Sequence, residues 1–273
     1  MYACGGRSSL HDRLAIVAIM AVMVAGGARA DDRSRCTPPA IGTASVETAV
    51  DGRTVRLADG RELRLAGIDA PHRGDAAAHA AKAALQSLVA GREVGLLRLG
   101  PESDRYGRLS ALVRQTVTSP AEGQYLQIAL LAAGHARVAA RVGDAACAAE
   151  FLVAERAARA AGLGLWAEPH YLIKKAENPV EVLAQRGRFA VVEGKVLSVR
   201  ESGATIYVNF GRRWSEDFTV TILKRNQRRF TAAGLNLRDL AGRHVRVRGT
   251  IEERGGPWIE AMHPEQIEIA ERD

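Results

Sequence analysis

Cysteine is nearly absent: the 273 residues hold three. That excludes a small scaffold built on many disulfides. Neither Cys36 nor Cys147 has a cysteine or histidine neighbour at ligand spacing, which argues against a structural zinc site. No collagen-like period and no coiled-coil pattern occurs. With 47 % hydrophobic and 25 % charged residues, wholesale disorder is excluded too. No apolar stretch reaches the roughly 20 residues of a membrane span. Charge of one sign does not dominate either. A net charge of +7 permits a polyanionic partner without demanding one. What remains is an ordinary globular composition, long enough for one large domain or two small ones.

The longest apolar run, LAIVAIMAVMVAGG from Leu14 to Gly27, follows Arg7 and Arg13 and precedes Ala28-Arg29-Ala30. A basic start, an apolar middle and an A-x-A end predict a secretory signal peptide over residues 1–30. No lipobox-like cysteine follows, so neither a lipid anchor nor a stable membrane anchor is expected. Cleavage removes three of the 38 basic and one of the 31 acidic residues and leaves a net charge of +5. The expected location is periplasmic or extracellular. Cys36 and Cys147 then either pair as one disulfide or remain two thiols.

From Gly42 to Ile68 the pattern alternates with a period of two, broken at Asp51-Gly52 and Asp59-Gly60. Such breaks between alternating runs predict a three-stranded meander, which Pro71 ends. Asp75 to Ala90 is an alanine-rich helix stopped by Gly91. Strands are expected at Glu93–Leu99 and Leu109–Val117, with the polar loop Asp104-Arg105-Tyr106-Gly107-Arg108 between them. Helices are expected at Tyr125–Ala133 and Ala145–Ala161. Five strands with an interposed helix suggest a barrel of the OB type with helices packed on it.

Residues 169–188 form a polar connection. Beyond it, strands are expected at Val191–Arg200, Thr205–Phe210, Phe218–Leu223, Val245–Ile251 and Trp258–Met262, with a basic helical segment from Lys224 to Leu240. The fold class is therefore β-rich α+β: one barrel domain over residues 42–168, a linker, and a second OB-like β-barrel domain over residues 189–273. Lys224, Arg225, Arg228 and Arg229 beside Phe230 are either a strand-tracking patch or a solvated helix face.

Several segments, in order, resemble the staphylococcal nuclease (thermonuclease) family. Val50-Asp51-Gly52-Arg53-Thr54-Val55-Arg56-Leu57 is similar to its first hairpin. Leu63-Arg64-Leu65-Ala66-Gly67-Ile68-Asp69-Ala70-Pro71 is similar to the strand entering its active turn. Asp104-Arg105-Tyr106-Gly107-Arg108 matches its D-x-Y-G-R loop. Ala129 to Val138 looks like its next helix and turn, and Leu163-Gly164-Leu165-Trp166 like its closing L-x-x-W. The resemblance implies calcium-assisted phosphodiester cleavage of DNA and RNA. It places Arg64 and Arg108 at the two phosphate-gripping positions and Asp69 at one calcium aspartate, a metal candidate. The second aspartate position holds Arg53, and the glutamate position holds His72.

Calcium takes six to eight oxygen ligands, and its affinity follows the carboxylate count. With Arg53 where an anion belongs, weak or absent calcium binding is expected, and no other cofactor is implied. Asp69 is expected to pair with Arg53 or Arg64. Arg53, Arg64 and Arg108 are expected to converge on one phosphate pocket. The leading expectation is a thermonuclease-like protein that binds nucleic acid or another phosphorylated or anionic ligand, with calcium-dependent hydrolysis weak or lost. One alternative is a working nuclease that uses His72 as base, with His79 nearby, or a metal held elsewhere, such as at Asp75. Another is an envelope module for protein contacts.

Overall fold

The computed structural model describes residues 36–71, 74–100, 103, 107–116, 123–213 and 215–270. The expected leader at residues 1–30 lies outside them, as do His72 and the Asp104, Arg105 and Tyr106 of the polar loop. Ser34–Asp273 form one compact unit.

The meander consists of β1 (Ala40–Ala49), β2 (Thr54–Leu57) and β3 (Glu62–Leu65), followed by a short β4 (Ile68–Asp69). After α1 (Ala76–Val89) come β5 (Glu93–Leu97) and β6 (Leu109–Gln115). Then follow α2 (Leu126–Ala132), a two-residue β7 (Arg137–Val138) and α3 (Ala145–Ala160). The five longer strands close into a barrel in the order β1-β2-β3-β6-β5. Closure depends on the length of β1. Ala40–Ser45 pair with β5, and Val46–Ala49 pair with β2. A register shift between Ala40 and Gly42 helps to bend the strand, and Gly42 takes a φ of 139° that a side chain would resist. β3 and β6 run parallel, with Leu63 opposite Leu109. Leu57, Leu63, Leu65, Leu112 and Phe151 fill the interior, each essentially without solvent contact. Burial of that kind stabilises by about 1.5–3 kcal/mol per side chain.

Both long helices begin on an aspartate. Asp75 accepts from the Ala78 amide at 2.7 Å, and Asp144 accepts from the Cys147 amide at 2.9 Å. Cys147, in the first turn of α3, is joined to Cys36 by a disulfide. The segment ahead of β1 is thereby tied to the helix that backs the barrel.

The connection after α3 is ordered. It carries a 3₁₀ turn at Gly164–Ala167, then β8 (Lys174–Lys175) and α4 (Pro179–Leu183). Neither β8 nor α4 follows from the polar composition, because both depend on a neighbour: β8 pairs with the strand after it. Tyr171 in this connection donates its hydroxyl to Asp75 Oδ2 at 2.8 Å. Burial, and then that hydrogen bond, raise its pKa to about 12.

The remaining elements are β9 (Phe189–Lys195), β10 (Ser198–Ser202), β11 (Thr205–Asn209), β12 (Thr219–Leu223) and α5 (Gln227–Ala232). They are followed by β13 (His244–Thr250), β14 (Glu252–Arg254), β15 (Gly256–Glu260) and β16 (Ile267–Ile269). They form a five-stranded sheet β10-β11-β12-β15-β14 and a four-stranded sheet β16-β13-β9-β8. The strand expected at Val191–Arg200 is split in two at Val196-Leu197. The expected helical segment 224–240 consists of a 3₁₀ turn, Lys224–Asn226, running into α5, and, beyond a break at Gly234, a second 3₁₀ turn, Leu237–Leu240. Phe218, Val220, Ile222, Phe230, Val245 and Ile259 make this half's core. Phe230 is wholly buried, so it belongs to the core rather than to a stacking surface.

The two halves meet across a buried ionic network. Arg248 on β13 and Glu155 on α3 are both at 0 % exposure and share a two-pronged pair at 2.9 and 3.0 Å. Arg248 also reaches Glu268 at 3.2 Å and the Val138 carbonyl at 3.2 Å. Arg159 bridges the same two carboxylates at 3.2 and 3.5 Å. Burial alone would lower the pKa of Arg248; the Glu155 and Glu268 carboxylates overcome it and raise it.

Two outcomes are expected. Arg248→Ala leaves Glu155 and Glu268 buried without their main partner and should cost about 3–5 kcal/mol, read from the urea midpoint. A loss below about 1 kcal/mol would mean that Arg159, with Arg156 and Arg246 at Glu268, satisfies the carboxylates. The second concerns Tyr171. Its folded pKa lies above the unfolded value, so its contribution to stability is full below pH 10 and is lost as pH rises through about 12. An ultraviolet tyrosinate titration should show one late-ionising tyrosine, absent in Tyr171→Phe.

Candidate functional site

Asp69 is where the structure gathers charge. It ends β4, which pairs antiparallel with β7 so that Asp69 stands opposite Arg137. Asp69 Oδ1 accepts from Arg53 Nη1 at 2.8 Å, and Oδ2 accepts from Arg137 Nη2 at 3.0 Å. Both carboxylate oxygens are thus engaged by guanidinium groups.

Each arm of this clamp has a local cause. Arg53 sits in the turn after β1, where its amide donates to Asp51 Oδ1 at 2.8 Å. The turn packs against α1 so closely that a Cβ on Gly52 would lie 2.7 Å from the Ala81 methyl. Arg53 is thereby held directly over β4. Arg137 is buried and lies between two aromatic rings, 5.2 Å from the Tyr171 ring centroid and 4.9 Å from that of Phe189. Tyr171 comes from the connection and Phe189 opens β9, so residues beyond the barrel hold the second guanidinium in place.

A cavity of about 340 Å³ opens beside the clamp, lined among others by Arg53, Arg64, Asp69, Ser110, Arg141 and Phe189. Three guanidiniums and one carboxylate face it, which suits an anion. Arg53 and Arg64 meet here, but Arg108, half-buried just before β6, is not among the lining residues. Arg141, in the turn before α3, stands there instead. A smaller cavity of about 100 Å³ lies on the other side of Asp69, between Arg137, His170, Arg188 and Phe189. Burial, and then the charges of Arg188, Lys174 and Arg137, push His170 below the ordinary imidazole range, so it is neutral at pH 7.

Among the described residues, no three His, Cys, Asp or Glu side chains are grouped to hold a metal ion. Asp75 has both oxygens engaged, by the Ala78 amide and by Tyr171. His79 is exposed on α1, and His72 lies outside the described residues.

Arg137, Arg141 and His170 were not singled out from the sequence. Arg137 falls within the Ala129–Val138 segment but carries no local signal, because only the β4–β7 pairing turns it onto Asp69. His170 follows Glu168-Pro169 in a stretch that reads as a polar connection.

One comparison bears on the segment that carries the Asp69 turn. Residues 62–168 match the model of the family described as staphylococcal nuclease homologue. No curated protein matches the chain. The chain carries, over residues 62–168, a domain of the staphylococcal nuclease homologue family.

Proposed function

We propose that this is an exported, thermonuclease-family protein that binds nucleic-acid phosphodiesters in the cavity beside Asp69, with calcium-dependent hydrolysis weak or absent. The observation that carries this reading is the double occupation of Asp69 by Arg53 and Arg137. A calcium ion there would have to displace two guanidiniums and accept two positive neighbours, with one carboxylate where sites of useful affinity use several. Phosphate does not compete for the Asp69 carboxylate. Arg64 and Arg141 line the cavity already, and guanidinium groups fit phosphate oxygens in pairs. The residues present therefore suit the anion better than the metal.

Export is supported by the leader pattern at residues 1–30 and agrees with the Cys36–Cys147 disulfide. We also read the second half as OB-like. Its strand pairings repeat those of the barrel: an antiparallel run β10-β11-β12, a helix, then β15 parallel to β12.

A second reading rests on His170, a neutral imidazole in the cavity behind Asp69. It would act, with or in place of His72, as a metal-independent base for RNA cleavage.

Three measurements separate these readings. Thymidine 3′,5′-bisphosphate should bind the wild-type chain in calorimetry, and Arg64→Ala should weaken it by roughly ten- to a hundredfold, the effect of a lost charge-assisted bond. Plasmid and RNA incubated with calcium or with chelator should degrade equally slowly; cleavage stimulated by calcium would overturn the proposal. Chelator-resistant RNA cleavage abolished by His170→Ala or His72→Ala would favour the imidazole reading. Finally, Arg53→Asp with His72→Glu restores two carboxylates. Its thermal midpoint should rise with calcium while that of the wild type does not.

A further inference from the structure

The basic cluster after β12 is not absorbed by the cavity at Asp69, yet the structure connects the two. Arg141 lines the cavity beside Asp69, and it also lines a second one of about 450 Å³ between the start of α3 and the second half. Arg229 and His263 form the opposite wall of that cavity. Ala232 of α5 is shared in turn with a third cavity of about 550 Å³, bordered by Lys224, Gln227, Arg228 and Thr231. Three adjoining hollows thus run from the barrel onto the second half, each walled by basic side chains.

We propose that these hollows form one path for a single-stranded nucleic acid, entering beside Asp69 and continuing across Arg141 and Arg229 to Arg228 and Lys224. This rests on the phosphate-binding reading of the Asp69 cavity and extends it to the C-terminal half.

The carboxylates along the path are already engaged. Asp69 holds two guanidiniums, Asp144 caps α3, and Glu265 accepts from the Val142 amide at 2.9 Å. Among the described residues, Arg141, Arg228 and Arg229 form no ion pair, so their charge is presented to the hollows; Lys224 is shared with Glu201 at 3.2 Å. Arg141 and Arg229 both act on His263, which burial and then their charges hold below the ordinary imidazole range against the pull of Glu265. The two arginines line the same hollow, where both can face one chain of phosphates. A cleft that passes from one half to the other suits a flexible strand. A duplex, stiff over about 150 base pairs, could not follow it without a bending cost. Basic side chains tracking a backbone, with an aromatic such as Phe189 at one end, are the usual means of single-strand binding.

The test is fluorescence anisotropy with labelled oligothymidylates of increasing length, on the full chain and on Arg228→Glu/Arg229→Glu. Circular dichroism confirms that the variant, changed at two exposed positions, is folded. Wild-type affinity should rise at least tenfold from the shortest to the longest oligomer. The variant should lose that gain, and its salt dependence for the longest oligomer should flatten by about 1.4 log units per log unit of salt, two phosphate contacts at about 0.7 each. An unchanged length gain in the variant, or equal binding of a duplex of the same length, overturns the path. Thymidine 3′,5′-bisphosphate separates the layers. If it does not bind, the phosphate-binding reading fails; if it binds but longer oligomers gain nothing, only the extension fails.

Discussion

The Arg248–Glu155 pair sets the relation between the two halves, and the site depends on that relation. Replacing a buried ion pair by apolar side chains is often neutral for stability, so its net contribution to folding is small. Its effect here is positional. Glu155 also accepts from the Val138 amide at 2.5 Å, while Arg248 donates to the Val138 carbonyl. Both groups of residue 138 are thus fixed from below, and residue 138 is the neighbour of Arg137 on β7. The same network that joins the halves orients the strand that carries a guanidinium to Asp69. From above, Phe189 of the second half covers that guanidinium. Removing either half would leave Arg137 half-supported.

Asp69 then has the character of a fixed internal anion. Two guanidiniums supply the positive charge that a divalent cation would bring, but they differ in what they permit. A metal ion can exchange ligands and hold a water for attack, whereas a guanidinium has only N–H donors and no open coordination position. Positive charge beside a phosphate is retained under this arrangement, and so is grip. Under the proposed reading, the means of generating hydroxide is what the arrangement lacks. That physical difference is why the proposed function is weighted toward binding.

Much of the barrel was legible in the chain. Asp-Gly pairs gave the hairpins, and the alanine-rich stretches with a glycine after each gave α1 and α3 to within a residue or two. Pairing of Asp69 with Arg53 was one of two expected pairings, the other being with Arg64, and the structure shows the Arg53 pair. Arg137, Arg141 and Arg248 were not legible. Each is an arginine in a strand or turn, where solvation is the ordinary fate; tertiary pairing turns Arg137 and Arg248 inward, and the packing around Asp69 places Arg141 on the cavity wall. Arg248 is an instructive case, because it lies in the alternating run Val245–Thr250, whose polar positions read as facing water. Its side chain is instead met by Glu155 of α3, which sequence spacing alone does not reveal. The broken helix after Lys224 failed for another reason: its basic residues favour a helix, but Gly234 and the need to bury Phe230, Leu237 and Leu240 close it into two short turns.

The reach of the family match sharpens the point. It spans residues 62–168 and so contains Arg64, Asp69, Arg108, Arg137 and Arg141. It does not contain β1 or β2, which close the barrel, nor Arg53, which takes one oxygen of Asp69. Neither does it contain Tyr171 or Phe189, which hold the guanidinium on the other oxygen. Both arms of the clamp therefore rely on residues outside the matched span, one from the N-terminal side and one from the C-terminal side. A site can keep its family's central turn and still be rewritten by what is packed against it. In the structure Asp69 is held in salt bridges by Arg53 and Arg137, and the groups that place those two guanidiniums come from outside the turn itself.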